Sequence, residues 1–213
     1  YYLDDDTAWL YRGTGGNDNL SGENCREEIF GYGGNDSLYG NGGDDSLYGA
    51  EGNDSLYGGG SNDVLEGGDG ADSLFGEGEN DLLNGGTGND TLIGGEGNDT
   101  LCGGIGTDIF QYGNPRWDYV NNDLILGETG QSAEQIAFTG DGHHPDNVTP
   151  SRSGNDLLLS YRSGYGEGTV RLQDWYLHPE DRISSFSFYG NSNRTYYLDD
   201  DTAWLYRGTG GND

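Results

Sequence analysis

Residues 85–102 read GGTGNDTLIGGEGNDTLC, two consecutive nine-residue units that differ at only two positions. Working outward in both directions, the unit recurs eleven times between Gly13 and Gln111 without insertion or deletion. Each copy opens with glycine. Each carries a carboxylate at its sixth position: Asp18, Glu27, Asp36, Asp45, Asp54, Asp63, Asp72, Asp81, Asp90, Asp99 and Asp108. Each also carries a large apolar residue at its eighth, leucine in nine copies and Ile29 or Phe110 in the other two. A fixed period of this kind stacks one supersecondary unit on the next. It sets one carboxylate beside one Gly-rich turn per unit, a geometry suited to hard cations. Collagen would need a period of three and abundant proline, and the chain has four Pro. A flexible Gly-rich linker would not keep Leu and Asp in phase.

Charge points the same way. The chain of 213 residues has a net charge of −29 and is 31% hydrophobic, too little apolar surface to offset ordering entropy unaided. Within 13–111 the only basic residue is Arg26, set against twenty acidic ones. The sign of that field excludes nucleic acid as a partner. No segment approaches 18 consecutive apolar residues, so no membrane span is expected. The chain starts without Met or a signal-peptide pattern and reads as a segment of a longer protein. Cys25 and Cys102 belong to the second and tenth units, four coils apart if two units make a coil. That is roughly 19 Å, beyond the ~7 Å Cα limit for a disulfide, so two thiols without a catalytic role are expected.

The unit resembles the nonapeptide G-G-x-G-x-D-x-U-x of the repeats-in-toxin (RTX) calcium-binding family. The resemblance implies an all-β fold: a right-handed parallel β-roll in which six residues turn, three form a strand and two units complete a coil. Position eight then points inward and position nine outward. The resemblance also implies calcium held between units n and n+2, by position-six carboxylates and backbone carbonyls. The implied metal ligands are Asp18, Asp36, Asp45, Asp54, Asp63, Asp72, Asp81, Asp90, Asp99 and Asp108, with about eight or nine Ca2+ ions. No catalytic or other cofactor-binding residues are expected.

Parity divides the carboxylates into two columns. The odd column is Asp18, Asp36, Asp54, Asp72, Asp90 and Asp108, and its fourth-position residues are all Gly. The even column is Glu27, Asp45, Asp63, Asp81 and Asp99, with Cys25, Ser61 and Glu79 replacing Gly at position four. If that position needs positive φ, each replacement costs about 1–2 kcal/mol. The odd side is therefore expected to bind more strongly, with Glu27 the doubtful member. On position nine, Tyr39, Tyr57, Phe75 and Ile93 suggest either a docking face or stacking along the ladder.

Beyond Gln111 the period stops. Strand-like runs cover 123–126, 156–161, 169–172 and 183–189. SGNDLLLS at 153–160 and TVRLQDWYLHPEDRISSFSF at 169–188 resemble the β-rich flank of RTX arrays in adenylate cyclase toxins. That resemblance implies a cap with Trp175, Tyr176, Phe186 and Phe188 as its core. His143 and His144, near Asp141 and Asp146, read as a solvated loop rather than a metal or catalytic pair. Finally, YYLDDDTAWLYRGTGGND at 1–18 recurs letter for letter at 196–213, an offset of 195 residues. The chain thus divides into the tail of a preceding unit (1–12), the array (13–111), a β-rich flank (112–207) and the start of a next unit (208–213). The function expected is a calcium-folded structural module of a large secreted or surface protein, adhesin-like, with neighbouring copies in cis and type I secretion machinery as partners. The alternative is the calcium-binding tail of a secreted toxin or hydrolase, and an engineered duplication is the other source for the echo.

Overall fold

The computed structural model of the chain describes residues 2–3, 8–112, 121–126, 134–139, 148–162, 167–175, 185–188, 194–198 and 204–206. Tyr176 and the His143–His144 pair with its flanking aspartates lie outside them. The strands in chain order begin β1 (Tyr2–Leu3), β2 (Trp9–Arg12), β3 (Asn19–Ser21), β4 (Glu27–Gly33), β5 (Ser37–Gly42), β6 (Ser46–Glu51) and β7 (Ser55–Gly60). The array continues with β8 (Val64–Asp69), β9 (Ser73–Gly78), β10 (Leu82–Thr87), β11 (Thr91–Glu96), β12 (Thr100–Ile105) and β13 (Ile109–Tyr112). The flank supplies β14 (Asn122–Ile125), β15 (Gln135–Phe138), β16 (Val148–Ser153), β17 (Asp156–Arg162), β18 (Glu167–Leu172), β19 (Ser185–Phe188), β20 (Arg194–Leu198) and β21 (Trp204–Tyr206). Among the described residues there is no helix, and none long and apolar enough to cross a membrane.

Successive array strands alternate between two parallel sheets. Leu38 pairs with Leu56 and Leu56 with Leu74 in one, Leu47 with Leu65 and Leu65 with Leu83 in the other. The offset is always 18 residues, two nonapeptides per coil, and the result is a parallel β-roll. All eighth-position residues from Ile29 to Phe110 are at most 1% exposed and join one core cluster. Each such leucine contributes about 1.5–3 kcal/mol of burial. Leu20 at the first coil is only partly buried.

The strands are longer than three residues. Pairing resumes past the first glycine, for example Asn41 with Gly59 and Gly42 with Gly60. Positive φ at position two re-aims the backbone so that positions two and three rejoin the ladder, which confines the turn to positions four to six. Position nine is outward with one exception. Ile93, register partner of Phe75, is 8% exposed. Tyr39, Tyr57 and Phe75 stack along the ladder with centroids 4.8 and 4.7 Å apart, and Phe30 stacks on Tyr48 at 4.7 Å.

The ladder outlasts the repeat. β14 adds to β12 and β15 to β13, both parallel; β18 then adds to β14 and β19 to β15, again parallel. Two further coils therefore carry no complete nonapeptide. β17 and β16 finish one sheet antiparallel, and β20 and β21 finish the other. The core changes accordingly from leucine to a mixture: Phe110, Tyr112, Phe138, Tyr161, Phe186 and Phe188 are buried together with Ile125, Ile136, Leu157, Leu159, Val170 and Leu172. Phe138 stacks on Phe188 at 5.1 Å, and Trp175 meets Phe186 at 6.3 Å. Of the residues expected to form that core, Trp175, Phe186 and Phe188 are in place.

Candidate metal centre

The turns are built by backbone stacking at an 18-residue period. The N–H of residue seven donates to the carbonyl of residue six one coil earlier, as from Ser55 to Asp36 at 2.9 Å. The N–H of residue six donates in the other direction, to Oδ1 of the sixth-position aspartate one coil later. These bonds are 2.7–2.9 Å long from Asp18→Asp36 through Asp90→Asp108. Position five adds a ladder that the sequence reading missed. Asn35 N–H donates to Asn17 Oδ1 at 2.9 Å and Asn53 N–H to Asn35 Oδ1 at 3.0 Å. Its signal was the Asn recurring at position five, where a short amide reaches the next backbone.

The first glycine of each unit makes room for the carboxylate. A Cβ added to Gly31 would collide with Asp36 Oδ2 and come within 2.9 Å of the Gly49 carbonyl oxygen. The side chain at position six thus folds over position one, where a carbonyl from the next coil also points.

This leaves a row of incomplete groups. The sixth-position aspartates from Asp36 to Asp108 are 0–4% exposed. Oδ2 of each one from Asp36 to Asp99, and Oε2 of Glu27, has no hydrogen-bond partner among the described residues. Buried polar atoms in native folds are nearly always paired, and an unpaired carboxylate oxygen is among the costliest exceptions. Burial pushes these carboxyls up from the ordinary 3.8: to about 9 for Asp81, about 8 for Asp45, about 7 for Asp63 and Asp90, and about 6 for Asp72 and Asp99. The N–H bond to each pulls the other way and is outweighed. For Asp45, neighbouring Glu27 raises it further. The fold has therefore collected charge that it does not itself neutralise.

Hard, charged, orphaned oxygens with carbonyl neighbours fit calcium; among the described residues the Cys25 thiol, beside Glu27, is the one sulfur bonded to a column carboxylate, too little to favour zinc or copper. Among the described residues no three Asp, Glu, His or Cys side chains gather at one point. Backbone carbonyls must then complete any coordination, as calcium allows. All ten expected residues stand in the two columns, and nine of them, Asp36 to Asp108, are buried. Asp18 opens the odd column, its side chain over Gly13, but it is partly exposed and its Oδ2 already accepts from the Thr14 N–H at 2.6 Å and the Thr14 hydroxyl at 2.9 Å. Glu27 keeps its place in the even column, fully buried, its N–H donating to Asp45 Oδ1 at 2.7 Å. The columns also outrun the repeat. Asp99 N–H donates to Asp123 Oδ1 at 2.9 Å, and burial together with Asp99 pushes the Asp123 carboxyl up to about 8. Its signal was Asn122-Asp-Leu-Ile, the second half of a nonapeptide without the first.

The parity expectation acquires a second component. Ser61 (φ 89°) and Glu79 (φ 73°) are left-handed at position four, but Cys25 is not among the positive-φ residues. Its unit turns differently, and its thiol donates to Glu27 Oε1 at 2.9 Å, the main reason the thiol is raised to about 11. Neither Cys25 nor Cys102 is in a disulfide. Position two is left-handed as well, at Tyr32 and Ala50 in odd units and Asn41 and Glu77 in even ones. Among the described array residues, non-glycine strain thus falls four to two on the even side.

A family model described as the RTX calcium-binding nonapeptide repeat (four copies) matches residues 11–38, 26–56, 39–74, 48–83 and 75–110. No curated protein matches the chain. Among solved structures, the extracellular lipase LipA from Serratia marcescens is 19% identical with a TM-score of 0.32, covering 78% of this chain. The chain spans 38% of that lipase. The AlgE6R3 subunit of the Azotobacter vinelandii mannuronan C5-epimerase is 21% identical with a TM-score of 0.25, covering 94% of this chain and 92% of its own.

Proposed function

We propose, from the membership of the array at residues 11–110 in the RTX calcium-binding nonapeptide repeat family, that this chain is a structural module folded by calcium outside the cell. The row of buried, unpartnered Oδ2 atoms from Asp36 to Asp99 carries this reading. Asp36, Asp45, Asp54, Asp63, Asp72, Asp81, Asp90, Asp99 and Asp108 hold the ions, with carbonyls of the glycine-rich turns, and Asp18 is the weakest of the ten. Bound calcium supplies the positive charge and the acceptor-compatible partner that the two columns lack. Without it the acidic array stays unfolded, a state suited to export through type I secretion machinery. Millimolar calcium outside then folds it, at affinities of about 10⁻⁴–10⁻³ M. The module works by stiffening rather than by catalysis. The 195-residue echo favours an adhesin-like array of such modules in cis over a single tail on a hydrolase.

The test is circular dichroism during calcium titration, with magnesium as control. A cooperative gain of β signal in calcium alone is expected. A chain already folded in chelator, or folded equally by magnesium, overturns the reading.

A further inference from the structure

The eighteen-residue echo forms the same hairpin twice but docks it by opposite edges. Near the N-terminus, Tyr2 pairs with Leu10 and Leu3 with Trp9, antiparallel. Near the C-terminus, Tyr197 pairs with Leu205 and Leu198 with Trp204, which are the same pairs displaced by 195 residues. In the first copy the Trp strand β2 is the docked edge. It lies parallel against β4, with Trp9 opposite Glu27 and Tyr11 opposite Ile29. In the second copy the Tyr strand β20 is docked. It lies antiparallel against β19, with Tyr196 opposite Phe186. β1 therefore ends the 11-stranded sheet and β21 ends the 10-stranded one.

We infer that one hairpin serves two consecutive units at once. β20 closes the roll of the unit before it, and β21 opens the roll of the unit after it, so the order β19-β20-β21-β4 runs on into the next copy. The occupant of the β21 edge is thus a second copy of this unit following in the same chain. The two docking modes use different strands of one hairpin and do not compete. Hydrogen-bond directions agree. Trp9 N–H donates to the Arg26 carbonyl at 3.0 Å, and Gly13 N–H to the Phe30 carbonyl at 2.7 Å, both pointing away from β1. The Leu3–Trp9 pair is then a non-hydrogen-bonded one, leaving the same amide of Trp204 aimed outward at the next unit.

Tyr11 shows what the joint brings to the core. It is 8% exposed and belongs to the core cluster above Ile29. Tyr206 holds its register position in the second copy. A free edge strand is an aggregation hazard, and sharing the hairpin removes two of them per junction. The 10-stranded sheet of one unit becomes continuous with the 11-stranded sheet of the next, so the joint is a rigid coupling rather than a linker.

This rests on the tandem reading of the echo, and the test separates the two. A two-unit chain, residues 1–195 followed by 1–213, is compared in calcium with the single unit by amide exchange and small-angle scattering. The amides of Trp204 and Gly208 are expected to exchange at least tenfold more slowly in the two-unit chain, which scatters as one rod. Trp204→Pro at the junction deletes an outward donor that is not hydrogen-bonded to its partner Leu198, and should restore fast exchange at Gly208 while each half keeps its calcium-induced dichroism. Unchanged exchange in two fully folded halves overturns the joint and leaves the calcium reading standing. Halves that do not respond to calcium overturn the calcium reading instead.

Discussion

Asp54 in the array and Asp156 in the flank answer the same electrostatic problem differently. Asp54 accepts one N–H, from Asp36 at 2.7 Å, and burial holds its carboxyl above the ordinary value. Asp156 is also desolvated, but Arg171 Nε donates to its Oδ2 at 2.7 Å and Asp174 N–H to its Oδ1 at 2.9 Å. Together these outweigh burial and lower it. The flank carries its cation as arginine; the array, with Arg26 alone, must import one. The cores differ in the same sense, one inward residue per strand in the array, mostly leucine, against stacked aromatics packed with aliphatic side chains in the flank. One parallel ladder thus runs through two regimes, one completed by ions and one by its own side chains.

The largest expected effect breaks the two apart. In chelator, amide exchange across Ser37–Ile105 should accelerate by orders of magnitude, and across β16–β18 far less; equal acceleration in both regions sinks the comparison. Next, Phe138→Ala should destabilise the calcium-bound protein by about 3–5 kcal/mol in denaturant unfolding, since it empties the aromatic core. A loss below about 1 kcal/mol would place the stability of the flank elsewhere.

Removing one carboxylate sharpens the array side. Asp72→Asn should raise the calcium midpoint for folding by about tenfold, a change of about 1.4 kcal/mol, whereas Asp18→Asn should move it by less than about twofold. Equal shifts would mean that Thr14 releases Asp18 to the ion.

Acidity should act oppositely with and without calcium. In chelator the folded carboxyls titrate as high as about 9 at Asp81 and about 8 at Asp45, against an ordinary 3.8. Folded values above unfolded ones mean stability is greatest below about pH 4 and is lost as pH rises toward 9. The chelated chain should therefore gain β signal between pH 8 and pH 4, while the calcium midpoint rises as protons compete. A flat dichroism profile in chelator would contradict the buried columns.

The smallest effect tests the turn strain. Glu79→Gly relieves a left-handed glutamate and should stabilise the bound form by about 0.5–1 kcal/mol, part of the 1–2 kcal/mol strain being offset by greater unfolded-state freedom. A destabilised variant would assign Glu79 a contact worth more than its strain.

How much of this was legible depended on whether the signal was local and periodic. The nine-residue period with its in-phase carboxylates and leucines was legible because a solenoid contacts itself only at its own period, and the resemblance to the RTX family implied the two-unit coil with the leucines inside. The position-two strain was hidden at Tyr32, Ala50 and Glu77, residue types that rarely adopt positive φ; of the four only Asn41 is of a type that does so readily. Asp123 was hidden because only half a repeat surrounds it.

By itself, the sequence determined the roll, its period and its unmet negative charge, since each repeats too often to belong to anything else. The tertiary structure alone decided that the ladder continues to β19 and that one hairpin docks by either edge. Those outcomes depend on which strand edges remain open after distant segments pair, and no local pattern encodes an open edge.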